Sequence, residues 1–78
     1  MKYTIYGNAN CPSCVDAKRL LEQKGVDFEY LQMGKDYTIK EFYEVAPMSH
    51  KTFPMISING EYLGGLHQLQ QVLNGDNL

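Results

Sequence analysis

Both cysteines of the chain lie within five residues, Asn10-Cys11-Pro12-Ser13-Cys14. Two thiols spaced as Cys-x-x-Cys can be oxidised to a disulfide and reduced again, so the pair reads as a redox dithiol. Half of a zinc site, a structural disulfide or two core residues fit the same spacing. Context separates these readings. A strand-like run, Tyr3-Thr4-Ile5-Tyr6, precedes the pair and a helical pattern follows it. Pro12 suits the first helical position, where its missing N–H would have had no partner. Cys11 then stands at or just before the helix N-cap, where unpaired N–H groups and the helix dipole stabilise negative charge.

That placement has a chemical consequence. A free thiol of pKa about 8.5 is only about 3% thiolate at pH 7, and a helix N-terminus raises that fraction. Intrinsic nucleophilicity falls alongside, with a Brønsted slope of about 0.4–0.5, so attack by the sulfur changes little. What improves is departure: an acidic thiol leaves a mixed disulfide readily. Cys14, at the third helical position and on the apolar side, fits the resolving thiol that attacks such an intermediate. Asp16 sits in the first turns of the same helix, complementing the dipole yet close to the thiolate, and the sign of its effect stays open.

The elements that must hold this dithiol can be read in order. Lys2–Tyr6 is β-branched and aromatic, as in a central strand, and Gly7-Asn8-Ala9-Asn10 is turn chemistry. Over Pro12–Lys24, Cys14, Ala17, Leu20 and Leu21 recur at helical spacing, and Gly25 is placed for a left-handed cap. Val26–Gln32 alternates with Val26, Phe28 and Tyr30 on one side, a second strand. Strand–helix–strand implies a parallel pair with a right-handed crossover. After a loop at Gly34–Tyr37, Thr38-Ile39-Lys40-Glu41 is a capping box. Ile39, Phe42, Tyr43 and Ala46 make an apolar face read as core packing, and Pro47 stops the helix. Asn59-Gly60 between Met55–Ile58 and Glu61–Leu63 predicts a two-residue hairpin. Leu66, Leu69, Val72 and Leu73 form the stripe of a closing helix ending near Gly75. The order β-α-β-α-β-β-α predicts an α/β fold: one four-stranded mixed sheet flanked by three helices.

Length and composition bound the rest. Seventy-eight residues allow one domain, 1–78, with a small core. The content of 44% hydrophobic and 21% charged residues is that of an ordinary globular domain. A net charge of -2 points to no nucleic-acid or membrane surface. No apolar run reaches membrane-span length and the N-terminus has no signal-peptide pattern, so a cytoplasmic location is expected. There a Cys-x-x-Cys is more often catalytic or metal-binding than a permanent staple.

Taken together, Cys11-Pro12-Ser13-Cys14 after the first strand, Thr52-Phe53-Pro54 before the third and Gly64-Gly65 after the fourth resemble the glutaredoxins. The similarity runs over nearly the whole chain, and the shortness of the chain is similar to that of the phage-type dithiol glutaredoxins of the thioredoxin-like superfamily. The resemblance implies Cys11 as attacking and Cys14 as resolving thiol, with glutathione as reductant. It implies a cis peptide before Pro54 that turns the backbone of Phe53 to the ligand. It also places the γ-glutamyl end of glutathione at Gly65, Leu66 and His67, giving a glutathione site of Ser13, Thr52, Phe53, Pro54, Gly65, Leu66 and His67. Backbone N–H groups after a bare double glycine suit a carboxylate.

Three features depart from the family pattern. Asn8 stands where a lysine often serves the glycine carboxylate. His67 and Gln68 stand where an aspartate usually pairs with the γ-glutamyl amino group, and Ser13 replaces a common tyrosine. Lys51 or His50 is the candidate for the missing positive charge. His50 and His67, 17 positions apart, do not match zinc-ligand spacing, and no metal is expected. Tyr6, Tyr37 and Tyr62 near the sheet ends fit either substrate contact or core. The expected function is glutathione-dependent reduction of protein disulfides or glutathione mixed disulfides by a monomer, with ribonucleotide reductase as a partner implied by resemblance. The rivals are a redoxin recharged by thioredoxin reductase and an iron–sulfur cluster carrier; the proline after Cys11 argues against the carrier.

Overall fold

A computed structural model describes residues 2–75. The elements are β1 (Tyr3–Gly7), α1 (Pro12–Gln23), β2 (Phe28–Gln32), α2 (Ile39–Val45), β3 (Met55–Ile58), β4 (Glu61–Gly64) and α3 (Leu66–Asn74). The sheet order is β2-β1-β3-β4. β1 runs parallel to β2 and antiparallel to β3, and β3 is antiparallel to β4. This is the predicted β-α-β-α-β-β-α mixed sheet.

Strand alternation divides the core. Tyr3 and Ile5 of β1 and Ile56 of β3 face Ala17 and Leu21 of α1 and Leu69 of α3. On the opposite face, Met55 joins Phe42 and Ala46 of the α2 segment and Tyr37. Thr4 and Ser57, cross-strand partners, are the buried polar side chains among the described residues. One layer of helices thus covers each face, α1 and α3 on one and α2 on the other.

Local signals set the ends. The Thr38 hydroxyl accepts from the Glu41 N–H at 3.2 Å and the Glu41 carboxylate accepts from the Thr38 N–H at 2.9 Å, a complete capping box. Asn59 and Gly60 have φ of 55° and 83°, the positive pair that a tight hairpin turn requires. Four expectations shift. β2 begins at Phe28, although Val26 still packs on the same face. β1 starts at Tyr3 and extends to Gly7. Val72 is 45% exposed, because Leu66, Leu69 and Leu73 form the seam and residue 72 lies at its edge. Ile39 is 51% exposed; it stands at the start of a short helix, outside the cluster that covers Phe42.

Candidate active site

β1 ends at Gly7, and a turn with Asn10 at φ 56° delivers Cys11 to the start of α1. Asn tolerates this left-handed conformation better than most residues. Cys11 is the N-cap in extended geometry, with Pro12 directly after it. Its sulfur accepts from the Cys14 N–H at 3.2 Å, and its carbonyl accepts from Cys14 and Val15. The Cys14 N–H, together with the helix dipole, therefore points at this sulfur. Cys11 and Cys14 form a disulfide with Cα atoms 5.2 Å apart. Cys14 is fully buried; Cys11 is half-buried between exposed neighbours. Reagents approaching from solvent therefore meet Cys11 first. No acidic residue occupies the first helical turn, so Asp16 falls beyond it.

Beside the dithiol is a cleft of about 550 Å³ lined by Ser13, His50, Thr52, Phe53, Pro54, Tyr62, Gly65, Leu66, His67 and Gln68. It gathers all seven residues assigned to glutathione on resemblance. Those residues come from three separated stretches of chain: the first turn of α1, the loop before β3, and the β4–α3 junction. The Phe53–Pro54 peptide is cis. At the junction, Gly65 caps α3 without a side chain, and its N–H donates to Gln68 Oε1 at 2.9 Å. The approach is close there: a Cβ on Gly64, whose φ is +146°, would stand 2.7 Å from Gln68 Cγ.

His50 and Tyr62 complete the wall, with His50 Nδ1 2.6 Å from Tyr62 Oη. His50, a charge candidate on sequence grounds, lines the cleft; Lys51, the other, is exposed and does not. The sequence allows Tyr6, Tyr37 and Tyr62 either substrate contact or core, and the structure puts Tyr62 in the cleft wall and Tyr37 in the core. Tyr37 is core, 5% exposed, with its hydroxyl donating to the Gly7 carbonyl at 2.7 Å. Burial, then the neighbouring Tyr30 and Tyr6, pushes its phenol well above the ordinary tyrosine range. Tyr6 packs edge-on against Tyr37 at 5.2 Å. Gln68 stands among the departures from the family pattern, and Gln at the third position of a helix is itself a sequence signal for the bond it makes to Gly65.

Cys11 itself borders a second depression, with Asn8, Asn10, Pro12, Val15, Tyr30 and Gln32. Asn8 is therefore on the Cys11 side of the dithiol and does not join the first cleft. A third hollow, at Lys2, Asp27, Phe28, Glu29 and Asn59, holds neither cysteine. Among the described residues no cluster of three or more His, Cys, Asp or Glu side chains comes together, and no helix is long and apolar enough to cross a membrane.

The chain is similar to known proteins. Residues 3–63 match the family model described as Glutaredoxin. A glutaredoxin of Pseudomonas aeruginosa is 39% identical over 71 residues, spanning 86% of this chain and 82% of that protein. The hybrid peroxiredoxin hyPrx5 of Haemophilus influenzae is 35% identical over 68 residues, but the matched part is only 27% of that longer protein. The solution structure of reduced Escherichia coli glutaredoxin superposes with a TM-score of 0.80 at 24% identity, covering 97% of this chain and 96% of that one. The fold is thus thioredoxin-like, and with its buried Cys14, half-buried Cys11 and matched length the chain belongs to the glutaredoxin family of thiol–disulfide oxidoreductases.

Proposed function

We propose that the chain exchanges electrons between glutathione and disulfide substrates, with Cys11 as the exchanging sulfur. The observation that supports glutathione is the single cleft formed by Ser13, Thr52–Pro54 and Gly65–His67 beside the dithiol. Free N–H groups at the first turn of α3 suit a carboxylate there. An extended peptide thiol along the Thr52–Pro54 edge would bring its sulfur toward the dithiol.

The exchange balances in two steps. A glutathione thiolate attacks the Cys11 sulfur, the Cys11–Cys14 bond breaks, and Cys14 leaves as a thiolate that takes up a proton. A second glutathione thiolate attacks the glutathione sulfur of the mixed disulfide. Cys11 departs as a thiolate stabilised at the helix N-terminus, and glutathione disulfide is released. Two electrons have reached the protein. In the other direction Cys11 attacks a substrate disulfide, and Cys14 then attacks Cys11 to free the substrate's second thiol. Burial of Cys14 suits this order, since it can meet only a sulfur already joined to Cys11. Protein disulfides in the cytoplasm, including that of ribonucleotide reductase, are the substrate class, and a monomer suffices.

A second reading, recharge by thioredoxin reductase, is favoured by one observation: the neutral Asn8, Ser13 and Gln68 leave the ligand surfaces with few charges. The test reduces the oxidised protein with glutathione, glutathione reductase and NADPH, against thioredoxin reductase and NADPH. Turnover with the first couple alone supports the proposal; turnover with the second alone overturns it.

A further inference from the structure

The charge character of the cleft at Gly65–Gln68 decides more than affinity. Gln68 Oε1 accepts from the Gly65 N–H at 2.9 Å. That bond fixes the amide's orientation, because an NH2 group cannot face another N–H donor. The Gln68 NH2 is therefore the half left over to serve a ligand. Leu66 and His67 carry first-turn N–H groups without intrahelical partners, and Gly65 has no side chain to satisfy them. Across the cleft, His50 Cε1 lies 3.7 Å from where a Gly65 Cβ would stand. His50 Nδ1 pairs with the Tyr62 hydroxyl at 2.6 Å, and its Nε2 is enclosed and without a hydrogen-bond partner.

The Gln68 NH2 and the first-turn N–H groups of Leu66 and His67 are all donors. Among the described residues no Asp or Glu lines the cleft. Glu61, beside Tyr62 in β4, alternates to the opposite face of the sheet. A carboxylate entering here meets donors, whereas an ammonium meets neutral acceptors at best and no opposite charge.

We propose that Gln68 is a specificity-determining residue that makes this cleft recognise the carboxylate of a γ-glutamyl group while leaving its α-ammonium unpartnered. The substrate class then extends to thiol peptides that carry the carboxylate without a free amine. This rests on the glutathione reading above and adds which half of the glutamyl group is recognised.

The test measures the rate at which three tripeptide thiols reduce the oxidised protein, each normalised to its rate with a small aromatic disulfide. The thiols are glutathione, glutaryl-Cys-Gly, which lacks the amine, and γ-aminobutyryl-Cys-Gly, which lacks the carboxylate. Glutathione and glutaryl-Cys-Gly should agree within about threefold, and γ-aminobutyryl-Cys-Gly should be slower by about tenfold or more, the scale of a lost charge-assisted bond. Gln68→Glu keeps an acceptor for the Gly65 N–H and adds the absent charge. It should raise the glutathione to glutaryl-Cys-Gly ratio by about tenfold. A wild-type protein that needs the amine, with glutathione still fast, would overturn this inference and leave glutathione dependence standing. Three tripeptides no faster than 2-mercaptoethanol would overturn both. An unchanged ratio in Gln68→Glu would overturn the assignment to Gln68.

Discussion

Tyr37 donates its hydroxyl to the carbonyl of Gly7 at 2.7 Å, across thirty positions of sequence. The same carbonyl accepts the Met33 N–H at 3.0 Å. The end of β1 is therefore held from the α2 side of the sheet, just before the turn that carries Cys11. Position of the redox sulfur depends on this anchor as well as on helix α1.

Tyr37→Phe removes one of the two bonds to Gly7 and should cost about 1 kcal/mol. In a domain of this size that lowers Tm by roughly 4–8 °C. The pH dependence has a definite sign. The folded phenol is held above its unfolded value by burial, so its contribution is complete below about pH 10 and declines as pH rises beyond that. Urea unfolding across alkaline pH should show this decline in the wild type and a shallower one in Tyr37→Phe.

The thiol roles separate by substitution. Cys14→Ser should stop at a mixed disulfide of Cys11 with one glutathione, visible by mass spectrometry of the intact protein. Cys11→Ser should lower dithiol exchange to background, because Cys14 is fully buried. Rapid exchange through Cys14 alone would reverse the assignment.

Gly7 is packed under Tyr30, whose hydroxyl an added Cβ would overlap. Gly7→Ala should therefore destabilise by about 1–3 kcal/mol. Combined with Tyr30→Ala, which clears the space, the loss should be sub-additive by about 1 kcal/mol in a double-mutant cycle. Additive losses would show that the two residues do not compete.

His50 and Tyr62 tie the loop before β3 to strand β4 through their 2.6 Å bond. Tyr62→Phe and His50→Ala should each cost about 1 kcal/mol, and the double variant little more than either. Calorimetry of the four proteins reads the coupling directly.

Thr38→Ala removes the side-chain half of the α2 capping box and should cost about 1 kcal/mol. Since α2 supplies no residue to the cleft, the rate of reduction by glutathione should stay within about twofold of wild type, as for a surface change away from the site.

Local features were legible because they depend on neighbours in sequence. The Cys-Pro-Ser-Cys start of α1, the Thr38 capping box and the Asn59-Gly60 turn each follow from backbone geometry over a few residues. Burial was legible only where periodicity and layer agree. Phe42 and Leu69 satisfy both and are enclosed; Ile39 and Val72 fit a stripe but stand at a helix start or a seam edge and stay exposed.

Other properties arise only when distant segments meet. Tyr37 and Tyr62 look alike in sequence, yet one is sealed against Gly7 and the other faces the cleft with His50. Motif likeness nominated Ser13, Thr52–Pro54 and Gly65–His67, but no spacing along the chain shows that they share one cavity. Short-range sterics and hydrogen bonding fix the dithiol, its place at a helix N-terminus and the order of elements, so these are written along the chain. Which side chains surround the dithiol, and with what charge, was decided by the sheet order β2-β1-β3-β4, because packing and electrostatics act between neighbours in space.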